Sequence, residues 1–75
     1  MELKTMREKA LEKVFKSYNR AAGYAAKGKW AEADDQDVKA DHIVEAYVAI
    51  GLMTYEEGDQ QKIKAYNEYG IKVTV

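Results

Sequence analysis

Length, composition and charge define the class of molecule before any motif is considered. The chain has 75 residues, which is room for one small domain, and a chain of this size buries only about 60% of the surface that its unfolded form exposes. Its 12 Lys and Arg residues and 13 Asp and Glu residues give a net charge of −1, which argues against a strongly electrostatic nucleic-acid binder. The absence of cysteine excludes disulfides, thiolate zinc sites and cysteine catalysis.

A first helix is predicted over residues 3–27, because apolar residues recur there at the three-and-four spacing of one helical face. Thr5 and Glu8 have the spacing of a capping box, which places the helix start at Met6. Gly28 provides the C-terminal stop. The apolar stripe consists of Leu11, Val14, Phe15, Tyr18, Ala21, Ala22 and Ala25.

A second helix is predicted over residues 30–52, and its second half is apolar on most sides. Carboxylates in its first turns suit the positive end of the helix dipole. From residue 43 to residue 52 the apolar side chains spread around the helix, so that most of its faces require cover. Because the first helix covers only one of those faces, a third helix or a second molecule must supply the rest.

A third helix is predicted over residues 55–68. Thr54 and Glu57 have the spacing of a capping box at its start, and Gly70 ends it. The segment is polar and contains Gly58, which lowers its stability as an isolated helix. Its predicted role is to cover the second face of the second helix.

These elements predict an all-α fold in which a long antiparallel hairpin packs with a shorter third helix as a three-helix bundle. The predicted domain covers residues 1–70. Residues 71–75 alternate apolar and polar side chains in a strand-like pattern, but no other segment offers a strand partner. We expect an extended tail that docks on the helices or is disordered, and pairing with the tail of another copy is the second possibility.

The location of the protein is predicted from what the sequence lacks. Its longest near-continuous apolar run covers residues 46–53, whereas a membrane span needs about 20 apolar residues. Charged residues interrupt the N-terminal segment, so no secretory signal is present. The sequence therefore predicts a cytoplasmic protein without membrane contact.

Opposite charges are segregated along the chain, with a basic first helix and an acidic second helix. An antiparallel hairpin about Gly28 would place Arg20 near Asp37 and Lys16 near Asp41, which predicts ion pairing between the two helices. The functional alternative is a nucleic-acid-associated regulator. Its phosphate contacts would come from Lys9, Lys13, Lys16 and Arg20.

The acidic second helix also permits a second alternative, a carboxylate metal site. Carboxylates spaced along one helical face hold hard cations in helical bundles. The candidate ligands are Asp37, Asp41, His42 and Glu45. No second histidine and no matching acidic motif accompany them, so dipole compensation and salt bridges are the favoured interpretation, and no cofactor is predicted.

The unusual number of tyrosines, six, suits a protein interface, because tyrosine buries a ring while its hydroxyl stays wet. No phosphate-binding glycine loop, nucleophile elbow or Ser-His-Asp set is present. We therefore predict a non-enzymatic interaction or regulatory protein with a protein partner, self-associating with a dimer as the simplest form. The predicted interface consists of Tyr47, Val48, Ile50, Leu52, Met53, Tyr55, Tyr66 and Tyr69.

The hairpin turn resembles that of a tetratricopeptide unit over residues 17–45. The similarity lies in the spacing of small and aromatic residues, namely Tyr24, Gly28, Trp30, Ala33 and Ala40. Asp37 stands where that family prefers a large aromatic residue and Glu45 where it usually has proline. The resemblance implies a close-packed helical hairpin and a peptide-binding role.

Overall fold

The computed structural model describes residues 2–73 as three α-helices joined by short turns. Helix α1 spans Leu3–Ala26, α2 spans Trp30–Ala49 and α3 spans Tyr55–Asn67. The three pack into a bundle of 39 × 21 × 19 Å. The predicted all-α three-helix bundle with a long helical hairpin is confirmed.

Two helix ends differ from the predictions. Helix α1 begins at Leu3 after Glu2, whose side chain makes no capping hydrogen bond, so the predicted capping box at Thr5 and Glu8 is wrong. Helix α2 ends at Ala49, three residues before the predicted end. The cause is Gly51, which has a φ of 78° and turns the chain out of the helix.

The start of α3 agrees with its prediction. The Thr54 side chain accepts a hydrogen bond from the Glu57 N–H at 3.1 Å, and Glu57 Oε1 accepts one from the Thr54 N–H at 2.9 Å. Arg7 of α1 donates to both carboxylate oxygens of Glu57, at 2.8 and 2.9 Å. The Thr54 N–H and the Arg7 guanidinium lower the pKa of Glu57. One carboxylate thus caps α3 and ties it to the first turns of α1.

The core is built mainly from small side chains. Helix α1 packs against both other helices, whereas α2 and α3 have few contacts with each other. Val14 on α1 is the largest side chain that is fully buried. Of the 12 buried hydrophobic residues within 2–73, seven are alanines. Small side chains let the helix backbones approach closely, but they bury little apolar surface area.

Two glycines mark the closest approaches between elements. A Cβ atom at Gly58 of α3 would lie 2.7 Å from Val44 Cγ1 on α2. A Cβ atom at Gly23 of α1 would lie 3.2 Å from the Tyr69 hydroxyl. Trp30 at the start of α2 does not contribute to this packing and is 67% exposed.

The segment after α3 turns at residues 68–70 and then lies against the helices without regular secondary structure. The Ile71 N–H donates to the Tyr66 carbonyl at 3.1 Å, and both Ile71 and Val73 are half-buried. Residues 2–73 contain no strand. The predicted tail is therefore docked as far as residue 73, and Thr74 and Val75 lie outside the described residues.

Candidate interaction surfaces

An acidic cleft is lined by residues of α2 and α3 and by Tyr18 of α1. Its volume is about 230 Å³. The hydroxyl of Tyr18, which is buried, donates to Asp41 Oδ1. Glu45 and Asp59 are exposed, and neither forms a hydrogen bond or salt bridge with another side chain of residues 2–73. The lining residues of this acidic cleft are Tyr18, Asp41, Val44, Glu45, Tyr55 and Asp59.

Asp37 on α2 joins α2 to α3. Its Oδ2 lies 3.1 Å from Lys62 Nζ, and its Oδ1 accepts a hydrogen bond from the Tyr66 hydroxyl at 3.0 Å. The Lys62 ammonium also lies 5.5 Å from the centre of the Tyr18 ring. The predicted pairing of Asp37 with Arg20 is therefore wrong, because α3 supplies its cation.

A basic groove runs along the side of the α1–α2 hairpin that α3 does not cover. It is open and has a volume of about 470 Å³. Its lining residues are Lys9, Glu12, Lys13, Lys16, Ser17, Arg20 and Ile43. The only salt bridge among these residues joins Lys16 to Glu12 at 2.9 Å, one turn away on the same helix.

The predicted ion pairing between α1 and α2 is absent from the part of the chain that the structure describes. Lys16 pairs within α1, and Asp41 holds the Tyr18 hydroxyl. The structure brings the four cations of the nucleic-acid alternative, Lys9, Lys13, Lys16 and Arg20, together in the basic groove.

The acidic residues of α2 do not assemble as metal ligands. Residues 2–73 contain no group of three or more His, Asp and Glu side chains arranged to hold a metal ion. Asp37 is engaged by Lys62 and Tyr66, and Asp41 by Tyr18. His42 and Glu45 are exposed. The set proposed at the sequence level (Asp37, Asp41, His42 and Glu45) is thus not a coordination site in this structure.

The residues of the predicted interface fall into three groups. Leu52 and Met53 belong to the chain's own core, so their assignment to an intermolecular surface is corrected. Tyr47, Val48 and Tyr66 are half-buried against that core. Ile50, Tyr55 and Tyr69 are exposed, by 68, 58 and 47%.

Four further large apolar side chains are exposed that the sequence analysis did not single out. Leu3 and Met6 lie in the first turns of α1, and Trp30 and Val38 lie on α2. Leu3 lines a cavity of about 460 Å³ with Arg7 and Glu57, so it lies at the end of the bundle where α3 begins. The buried residues of α1 begin at Ala10, so the apolar side chain of Leu3 lies seven residues before them and is left exposed.

The buried phenol of Tyr18 and the half-buried phenol of Tyr66 make the stability of the fold depend on alkaline pH. Burial first, and then the hydrogen bond to Asp41, raises the pKa of Tyr18 above its ordinary value. Burial and the hydrogen bond to Asp37 act in the same direction on the pKa of Tyr66. An unfolded tyrosine has a pKa of about 10, so the unfolded state loses these protons first. These two tyrosines therefore contribute fully to the free energy of unfolding below about pH 10, and their contribution decreases as the pH rises above this value.

We expect the free energy of unfolding, measured by urea titration, to decrease between pH 9 and pH 11.5. In the variant Tyr18→Phe/Tyr66→Phe this decrease should be shallower, although the variant is less stable than the wild type at pH 9. Tyr55→Phe is the matched control, because the Tyr55 hydroxyl makes no hydrogen bond within residues 2–73. Equal slopes for the wild type and the double variant would contradict this assignment.

None of the three helices, taken over the described residues 2–73, is both long enough and apolar enough to cross a lipid bilayer. No family model matches the chain, and neither a curated protein nor a solved structure is similar to it.

Proposed function

We propose that this protein is a small non-enzymatic interaction or regulatory protein that binds protein partners and self-associates, with a dimer as the simplest form. A cytoplasmic location belongs to the same proposal and is supported by the cysteine-free composition. The observation that carries the proposal is the distribution of apolar side chains. Alanines fill most of the core, while seven large hydrophobic side chains of residues 2–73 are exposed.

The exposed residues on either side of the α2–α3 turn support this proposal most directly. Ile50 follows α2 and is 68% exposed, and Tyr55 opens α3 and is 58% exposed. Fully burying an aliphatic or aromatic side chain of this size contributes about 1.5–3 kcal/mol. A partner that covers both residues therefore gains more than a typical exposed salt bridge supplies, which is about 0–1 kcal/mol.

The regulatory or peptide-binding role that the tetratricopeptide resemblance implies is part of the same proposal. A close-packed helical hairpin is present in α1 and α2. Its surfaces carry both charged side chains and the exposed apolar side chains Trp30 and Val38, and protein interfaces combine both kinds of residue.

Replacing the two exposed apolar residues tests the proposal. We expect wild-type protein to change from monomer to dimer or larger species between 5 and 500 µM in sedimentation velocity. Ile50→Gln/Tyr55→Gln should weaken this association about tenfold or more, because the apolar gain of each residue is lost. Its free energy of unfolding, measured at 5 µM, should change by less than about 1 kcal/mol, since both sites are exposed.

Trp30→Gln is the matched control. It also replaces an exposed apolar side chain, but at the start of α2, the opposite end of that helix from Ile50. Its association should equal that of the wild type. A wild-type protein that remains strictly monomeric up to 500 µM would contradict self-association.

The nucleic-acid alternative has one observation in its favour, the collection of Lys9, Lys13, Lys16 and Arg20 in the basic groove without carboxylates from α2. The net charge of −1 argues against it, because a duplex would be attracted to one face and repelled by the acidic one. Binding of a DNA duplex to the basic groove is therefore kept as the alternative to self-association.

A further inference from the structure

We infer that self-association joins the basic groove of one copy to the acidic cleft of a second copy. This inference rests on the proposed function and specifies the two surfaces that would meet. The observation that supports this inference is the complementary charge of two surfaces of the same chain.

The basic groove presents cations that the chain itself leaves without carboxylates. Lys9, Lys13 and Arg20 form no salt bridge within residues 2–73, and Lys16 pairs only with exposed Glu12. The last cation, Arg20, lies eleven helical positions after the first, Lys9, so the row is roughly 16 Å long. An occupant of similar length that carries several negative charges would neutralise it.

The acidic cleft presents the matching charge. Glu45 and Asp59 are exposed and unpaired within the described residues, and Asp41 accepts only the Tyr18 hydroxyl. Tyr55 stands beside them, so an arriving cation would meet both carboxylates and an aromatic ring. Lys62, whose ammonium lies 5.5 Å from the centre of the Tyr18 ring, is held by Asp37.

The two surfaces belong to different faces of α2 and cannot meet within one molecule. Ile43 lines the basic groove and its neighbour Val44 lines the acidic cleft. Successive helical residues point about 100° apart, so the surfaces lie on two sides of the hairpin. A contact between unlike surfaces is heterologous, and it leaves one free surface of each kind to bind further copies.

Each charged surface also has an apolar anchor. Ile43, which is half-buried, supplies the apolar side chain in the basic groove. Tyr55 supplies the ring in the acidic cleft. One of the two exposed residues that carry the proposed function, Tyr55, therefore lies on one of the two charged surfaces.

A second copy fits these observations better than a polyanion does. The net charge of −1 causes almost no repulsion between copies, whereas the acidic face would repel nucleic acid. The apolar edge of the groove at Ile43 matches a protein surface, and phosphates offer nothing to it. The required negative surface is already present on the chain.

Charge reversal of each surface, followed by mixing, tests this inference. Lys13→Glu/Arg20→Glu reverses the groove, and Glu45→Lys/Asp59→Lys reverses the cleft. Each variant alone should associate on the order of tenfold or more weakly than the wild type in sedimentation velocity at 50 mM salt. An equimolar mixture should regain association, because each surface again meets its opposite, and 300 mM salt should weaken it.

The matched control is Lys64→Glu/Lys72→Glu, which changes the net charge by the same amount as the groove variant at two exposed positions outside the groove. It should associate as the wild type does. A wild type that associates while both reversed variants still do so would overturn this inference and leave self-association standing. A wild type that never associates would overturn both.

Nucleic acid is tested in the same samples with a labelled 20-base-pair duplex at 50 mM salt. No binding, or equal binding by the wild type and the groove variant, is expected. Duplex binding that Lys13→Glu/Arg20→Glu abolishes, together with unchanged self-association, would assign the basic groove to nucleic acid and overturn the inference.

Discussion

We expect Gly58→Ala to destabilise the fold by about 1–2 kcal/mol, although the same substitution stabilises an exposed helix interior by about 1 kcal/mol. The reason is the contact between α3 and α2. The added Cβ would lie 2.7 Å from Val44 Cγ1 and 3.1 Å from Cγ2. Val44 is buried, and its β-branched side chain has essentially one rotamer in a helix. The helices must therefore separate.

A double-mutant cycle distinguishes this clash from a general effect of the substitution. In a Val44→Ala background both methyl groups are gone, so Gly58→Ala should raise the free energy of unfolding by up to about 1 kcal/mol. Urea denaturation at micromolar concentration measures all four species. A loss of stability of the same size in both backgrounds would show that the approach of α3 to Val44 is not the cause.

Gly58 also shows which parts of the fold the sequence determines. The start of α3 is predictable because Thr54 and Glu57 satisfy each other's backbone within one turn, independently of the rest of the chain. The glycine in the next turn weakens α3 as an isolated helix, and nothing local explains its presence. Glycine is needed there because α3 comes close to Val44 of α2, 14 residues earlier in the chain. Such a contact depends on how the helices pack, so the residues around Gly58 do not predict it.

The helix periods were predictable for the same local reason, and Gly51 predicts that α2 ends close to it; the bound at residue 52, taken from the apolar pattern, was too long. Apolar residues continue past Ala49 to Met53, so their pattern alone extends the helix. Gly51 instead turns the chain, and the Leu52 N–H donates to the Tyr47 carbonyl at 2.9 Å. Leu52 and Met53 are thereby folded into the core. The predicted excess of apolar surface is consequently smaller, and Ile50 is its main exposed part.

The sequence predicts a basic stretch in α1 and an acidic stretch in α2, but it does not predict which of their charged side chains pair with each other. A hairpin register derived from Gly28 considers α1 and α2 alone, so it assigns the cations of α1 to the acids of α2. The structure places Lys62 of α3 on Asp37 and Tyr18 on Asp41. The third helix thus satisfies Asp37, a tyrosine of α1 satisfies Asp41, and the cations of the basic groove are left exposed.

We expect Asp37→Ala to lower the free energy of unfolding by about 2–3 kcal/mol, measured by urea denaturation at pH 7 and micromolar concentration. The Asp37 and Lys62 side chains are only 24 and 21% exposed, so solvent replaces the lost contact poorly. The substitution removes the partner of Lys62 and the acceptor of the Tyr66 hydroxyl together. Asp37→Asn should cost less, since its amide oxygen still accepts one hydrogen bond.

Alanine substitutions of Lys62 and of Arg20 show which of these two cations pairs with Asp37. Lys62→Ala should destabilise the fold and should add little further loss in the Asp37→Ala background, because the two residues form one contact. Arg20→Ala, which removes the cation that the hairpin register assigned to Asp37, should change stability by less than about 0.5 kcal/mol. Additive effects of Asp37 and Lys62, or a loss for Arg20 as large as that for Lys62, would contradict a bundle in which Asp37 joins α2 to α3.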